Sequence, residues 1–307
     1  MIAALTLADG AAADDVSNAP LRAEGEGFSF DLGLAAEYLD GYSRYEIKGS
    51  EFLVSWKSRL EWPLDSLLIG PDAAFRFADN RFALNLAYRT NVTDSPGELK
   101  DYNWLYGAKS VYSRVDTDLT AHIADANLVW NFLRGDLTAG AGAGYRFEYF
   151  DWDGEGVLTE TYYNWNFDIP PGTYTSPSAK WITYKINYHL PYLIVNGDYR
   201  FDEMFSVRLF SKVFLVIASD EDDHVQRQKL CESDYAGLGF SAGGEGRFDF
   251  SSDIYLTLFI DYTYLSADGD QDQSFYGGED AGEKFKNIDA RTESLQASTG
   301  ISVGFSF

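Results

Sequence analysis

The chain ends on a strict alternation. From Leu295 the odd positions read Leu295, Ala297, Thr299, Ile301, Val303, Phe305 and Phe307, whereas Gln296, Ser298, Gly300, Ser302, Gly304 and Ser306 fill the even ones. A period of two puts these sets on opposite faces of a β-strand. Asp253 to Ser266 repeats it, with Ile254, Leu256, Leu258 and Ile260 set against Thr257, Asp261 and Thr263. In Tyr235 to Phe250, Leu238, Phe240, Ala242 and Phe248 oppose Ser241, Glu245, Arg247 and Asp249. Repeated segments of this kind predict the strands of a transmembrane β-barrel. A helical span is excluded: it needs about 20 apolar residues in a row, and the longest runs are Ile2 to Ala8 and Val213 to Ser219.

The price of misplacing a charge decides which face meets lipid. A Lys or Arg on the lipid side costs roughly 2–4 kcal/mol at mid-bilayer, so Glu245, Arg247 and Asp249 are expected in the lumen, compensating one another. A soluble β-sandwich also alternates, but these strands are too long for one. The terminal Phe307 also resembles the assembly signal of bacterial outer-membrane barrels.

The pattern predicts an all-β, ten-stranded antiparallel transmembrane β-barrel. Its strands are Phe28–Lys48, Phe52–Ala78, Arg81–Val92, Thr117–Leu133, Leu137–Trp152, Ile182–Phe201, Phe205–Val225, Tyr235–Phe250, Asp253–Ser266 and Thr292–Phe307. The second contains Pro63 and Pro71, which belong at edges or bulges. Asp79-Asn80, Arg134-Gly135-Asp136, Glu203-Met204 and Ser251-Ser252 make short turns, read as periplasmic. Longer linkers near 93–116, 153–181, 226–234 and 267–291 are read as extracellular. An even strand count puts both termini in the periplasm. Residues 1–13 look like the remnant of a secretory signal, without a positive n-region, and 14–307 form a single barrel domain.

Composition narrows the function. Among 307 residues, 48 Asp and Glu against 24 Lys and Arg give a net charge of −24, which argues against nucleic acid as a partner. One Cys excludes an intrachain disulfide and a Cys-rich zinc site. The charge favours cationic peptides by long-range attraction, although loop acids that merely solvate the surface explain most of it.

The strand Phe205–Val225 carries the candidate chemistry. Val207, Leu209, Val213, Leu215 and Ile217 share the outward parity, and Arg208, Lys212, Asp220, Asp222 and His224 the inward one. A carboxylate-rich patch with an imidazole is thus expected at the extracellular mouth. An Asp two residues from a His on one face can accept its ring N–H, fix the tautomer and leave the other nitrogen as a general base. A solvated acidic rim is the alternative, since Asp-x-His arises easily in so acidic a chain. No metal is expected: His122 and His189 lie on other strands without a ligand pattern. Cys231, placed in a loop, reads as an incidental thiol.

Several segments together resemble the omptins, outer-membrane aspartate/histidine endopeptidases of Gram-negative bacteria. Ser219-Asp220-Glu221-Asp222-Asp223-His224 resembles their Ser-Asp-x-Asp-x-His block, and Ser58-Arg59-Leu60-Glu61-Trp62 their Ser-x-Leu-Asp-Trp run. Asp101-Tyr102-Asn103-Trp104 falls where the family has Asp-x-Asp-Trp. Tyr184-Lys185 with Pro191-Tyr192, Ser113-Arg114 with Asp116-Thr117, and Gly142-Ala143-Gly144-Tyr145 follow in consistent order.

The resemblance implies a ten-stranded barrel extending above the outer membrane, with His224 as the base that activates a water, Asp222 as its orienting partner and Asp101 holding that water across the groove. It also implies no cofactor, a requirement for lipopolysaccharide, and a monomer in outer-membrane lipid. Asn103 departs from the pattern, since an amide cannot accept a proton where the family has a second carboxylate. In the S1 pocket Asp220 matches one family acid, whereas Tyr45 stands near the other's place with Glu46 adjacent; the S1′ acid is replaced around Val111. A basic P1 residue with weak P1′ discrimination is expected. For lipopolysaccharide, Asn187 stands where an Arg is expected, leaving Arg146, Lys185 and Arg227 as substitutes. Three readings follow: a peptidase of cationic peptides; a catalytically degenerate barrel that binds peptides or matrix; and a passive porin, which leaves the ordered motifs unexplained.

Overall fold

The computed structural model describes residues 27–51, 54–93, 96–164 and 169–307; the signal-like segment 1–13 lies outside them. Its strands are β1 (Phe28–Glu51), β2 (Val54–Pro63), β3 (Ser66–Phe77), β4 (Phe82–Asn91), β5 (Gly97–Leu105) and β6 (Ala108–Leu133). They continue as β7 (Leu137–Tyr162), β8 (Gly172–Arg200), β9 (Phe205–His224), β10 (Lys229–Asp249), β11 (Ile254–Phe275) and β12 (Lys284–Ser306). One antiparallel sheet of twelve strands closes on itself where β12 pairs with β1. Among the described residues no edge remains, as a membrane-spanning sheet requires.

Twelve strands make ten walls. β1 pairs with β3 over Phe28–Leu39 and with β2 over Tyr42–Glu51, so β2 and β3 stack in one wall. β4 and β5 likewise share the wall beside β6. Proline explains the first interruption. β2 stops at Pro63, and the Leu64 N–H turns to the Gly41 carbonyl at 3.1 Å. Gly41 adopts φ +130° there, and a Cβ would meet the Leu295 carbonyl oxygen at 2.0 Å, so only glycine fits. Pro71 sits within β3, where the ladder to β4 skips from Ile69 to Asp72.

The predicted linkers are shorter than expected because the strands continue through them. β6 and β7 each run 26 residues and β8 runs 29, against the roughly 9–11 that cross a bilayer. Residue 101, expected in a loop, lies in β5, and Cys231 lies in β10.

The lipid-facing belt is apolar: Leu193, Leu209, Val213, Leu238 and Ile260 are all exposed. Inside the belt, Asp31 accepts from Arg76 at 2.7 Å and from Arg247 at 2.6 Å, and Arg247 also meets Asp249 at 2.9 Å. These pairs line a polar cavity of about 820 Å³ reaching the short turns near Asn80, Gly135 and Ser251. Arg146, expected on the exterior, belongs to this interior, with its Nε donating to Glu148 at 2.6 Å. Its parity matches the lumen rather than the lipid, so it cannot serve an external lipid.

Above the cavity lies a layer of buried rings. Trp62 stacks on Tyr184 with centroids 5.0 Å apart, and Trp152 lies 5.6 Å from Tyr184 and 5.6 Å from Phe150. The Trp152 indole N–H is satisfied by the Pro63 carbonyl at 2.8 Å, so its burial incurs no unpaired donor.

Candidate active site

β9 continues beyond the lipid-facing Ile217 to His224, and period two keeps one side pointing inward. Asp220 and Asp222 are buried, and the His224 side chain is 14% exposed beside them. His224 Nε2 lies 3.1 Å from Asp222 Oδ2, and the Tyr45 hydroxyl, from β1, donates to that same oxygen. With Nε2–H given to Asp222, the lone pair of Nδ1 is left available. Burial works to raise the Asp222 pKa, but the charge and hydrogen bond of His224 and the Tyr45 hydroxyl hold it below the usual carboxylate value.

The hairpin that follows is tight. Val225–Arg227 form a single 3-10 turn, Gln228 takes a left-handed conformation, and β10 begins at Lys229. The register sets Cys231 opposite Asp222 and Ser233 opposite Asp220. Cys231 is therefore a buried lumen residue, not a loop thiol, and burial pushes its pKa up to about 12.

The facing wall is built from β2 and β5. Asp101 pairs with Leu60 on one side and Ser113 on the other, both of them buried, and Asn103 shares its parity. Asn103 Nδ2 donates to Asp101 Oδ1 at 2.9 Å. The pKa of Asp101 is raised, first by burial and also by the Asp222 charge, against the lowering pull of Arg227, His224 and the Asn103 amide. Two strand walls far apart in sequence thus bring Asp101, Asp222 and His224 within electrostatic reach.

Asp220 is held differently. Its Oδ2 accepts from Tyr184 at 3.0 Å and from Tyr235 at 2.8 Å, while Oδ1 has no partner. Burial outweighs those hydrogen bonds and pushes its pKa up to about 7. Tyr45, buried at 1% exposure, packs on Tyr184 with centroids 5.3 Å apart. Glu46 is a correction: one residue along the strand, it takes the opposite face, bound to Arg59 at 2.9 Å and Lys57 at 3.3 Å, and does not join the site. Val111 is buried opposite Asn103.

Chemically, the cleft offers an oriented imidazole facing a carboxylate–amide pair, the arrangement that can hold and polarise a water. Asp222, His224 and Cys231 also present three ligand atoms within 4.8 Å of one another, a grouping the sequence spacing does not reveal.

The Omptin family model matches residues 29–307. The plasminogen activator of Yersinia pestis is 24% identical over 226 residues, covering 69% of this chain and 68% of its own. The crystal structure of the outer membrane protease OmpT from Escherichia coli superposes with a TM-score of 0.77 at 16% identity, covering 92% of this chain and 99% of that one.

Proposed function

The chain belongs to the omptin family of the Gram-negative outer membrane, and on that premise we propose that it is an endopeptidase cleaving cationic peptides at the cell surface. The contact of His224 with Asp222 at 3.1 Å, facing Asp101 on the other wall, carries this reading.

In this mechanism a water held between His224 and Asp101 attacks the scissile carbonyl carbon. His224 Nδ1 takes one proton of that water as its oxygen bonds to carbon. The carbonyl becomes an oxyanion and no acyl-enzyme forms. As the C–N bond breaks, the imidazolium returns the proton to the leaving amine. Asp222 keeps the ring oriented and stabilises its positive charge. Asp101 accepts a hydrogen bond from the water, and Asn103 holds Asp101 in place.

Specificity in this reading comes from Asp220 and from the net charge of −24. A Lys or Arg at P1 is drawn toward the unpartnered oxygen of Asp220. Because Tyr45 brings no second charge, the preference is graded rather than absolute. Lipopolysaccharide is the lipid partner, met by outward-facing Lys185 rather than by Arg146, and the protein works as a monomer.

Asn103 favours a second reading, a barrel of the same architecture that binds cationic peptides without cutting them. Purified protein refolded with and without lipopolysaccharide, assayed on Arg-containing peptides beside His224→Ala, separates the two. Cleavage lost by roughly a thousandfold in the variant supports hydrolysis. Binding without cleavage in both proteins supports the second reading.

A further inference from the structure

We infer that the loop between β11 and β12 is a clasp on the turn that carries His224, with Tyr276 as a positioning residue for that imidazole. His224 closes β9, where the sheet gives it little support. The β8–β9 ladder ends at Thr183 and Asp223, one residue short of it. Its partner on the other side is Lys229, the first residue of β10. Beyond lies the 3-10 turn Val225–Arg227, closed by Gln228 at φ +52°, a left-handed conformation that side chains disfavour.

Tyr276 holds both ends of that segment. It stands one residue past Phe275, where β11 last pairs with β10. Its N–H donates to the Gln228 carbonyl at 2.9 Å, which carries the strand pairing into the turn. Its hydroxyl donates to Asp223 Oδ1 at 2.9 Å. Because β10 lies between β9 and β11, the side chain spans a whole strand to reach that carboxylate. Asp223 precedes His224 and Gln228 ends the turn, so the two bonds bracket residues 224–227. The ring is exposed, so core packing does not account for it.

The clasp is itself braced. Phe275 N–H donates to the Glu283 carbonyl at 3.1 Å and Gly282 N–H to the Phe275 carbonyl at 2.9 Å, closing the loop at its base. Gly278, at φ +75°, supplies the reversal. On the opposite flank, the Gln226 side-chain amide donates to the Lys180 carbonyl at 2.9 Å. With that second anchor in place, loss of the Tyr276 hydroxyl loosens the turn without unfolding it.

The consequence for catalysis rests on the reading of His224 as the base. Its Nε2 lies 3.1 Å from Asp222 while Nδ1 faces the water, and a misplacement of about 1 Å can lower a rate about a hundredfold. The order of the turn does not depend on that reading.

The test uses full-length protein refolded in detergent with lipopolysaccharide. Tyr276→Phe keeps the ring and the backbone bond and removes only the hydroxyl. Its kcat should fall about fivefold with KM unchanged, the worth of one ordinary hydrogen bond. Asp223→Ala should reproduce that loss, whereas Asp223→Asn, which keeps an acceptor oxygen, should retain the wild-type kcat. The double variant Tyr276→Phe/Asp223→Ala should be no slower than either single one. Hydrogen exchange gives a readout free of activity: the amides of residues 224–229 should exchange about fivefold faster in Tyr276→Phe. Asp223→Ala supplies both readouts where Tyr276→Phe fails to refold. Unchanged exchange overturns the clasp in any case. Where the wild type cleaves, an unchanged kcat overturns the positioning role, and so does a raised KM with kcat intact, which makes Tyr276 a substrate contact. A lowered kcat in Asp223→Asn also overturns it, because the charge and not the bond would then matter. Faster exchange in a protein that cleaves no peptide refutes the hydrolytic reading and leaves the clasp standing.

Discussion

Tyr45 and His224 meet at one atom: the Tyr45 hydroxyl donates to Asp222 Oδ2, which His224 Nε2 approaches at 3.1 Å. A phenol from β1 therefore supports the Asp222 carboxylate from a strand that passes on the other side of the lumen. Its hydrogen bond is among the causes that keep the Asp222 pKa low.

Removing that hydroxyl should be visible in a pH profile. In Tyr45→Phe the carboxylate loses a donor, so its pKa rises and it takes up a proton at higher pH. The acid limb of kcat/KM should move toward neutrality, with activity at neutral pH reduced about tenfold, the worth of a hydrogen bond to a charged group. An unshifted limb would show that Tyr45 merely packs.

Asn103→Asp should raise kcat/KM. The wild-type amide donates to Asp101 at 2.9 Å, whereas a second carboxylate there would share one proton with it. Like charges side by side push one pKa up, so the gain should appear with an optimum at higher pH than wild type. A rise of about tenfold over the wild type, with the optimum displaced, is expected by steady-state kinetics. Cleavage that appears only in the variant would identify the natural protein as a binder.

Asp220→Asn separates charge from structure. The folded carboxyl has a pKa of about 7 against an ordinary 3.8, so the fold holds a proton that the unfolded chain has already released between those values. Its contribution favours the folded state at low pH and is lost progressively as pH rises to about 7. The asparagine removes that loss: melting temperature should rise, more at pH 8 than at pH 5. In the wild type, preference for Arg over Ala at P1 should strengthen as Asp220 ionises across neutrality. The variant should show no such trend.

The barrel should not conduct. Trp62, Trp152, Tyr184 and Phe150 are all fully buried in one layer across the lumen. Planar-bilayer recordings should show a closed wild type, whereas Trp62→Ala combined with Trp152→Ala should admit ions. Steady wild-type channels would support the passive-porin reading instead.

Much of the barrel is legible in the sequence because lipid imposes its own rule: one face must be apolar for as long as the strand is in the membrane. Leu209, Val213 and Ile217 mark that stretch of β9, and parity then sends Asp220 and Asp222 inward. Above the bilayer the rule lapses. Both faces of a strand meet water or polar neighbours there, so the upper parts of β5 to β8 read as loops, and Asp101 with them. Cys231 was hidden because its meaning lies in register with Asp222, set by a turn of three residues. Arg146 and Glu46 show the cost of a single step along a strand: each stands one position from a residue on the other face.

The stacked rings of Trp62, Trp152 and Tyr184 also lie across the cylinder between the polar cavity and the mouth. Under the proposed peptidase reading, fragments released at the mouth leave by the route through which the intact molecule arrived, and the periplasm receives none of them.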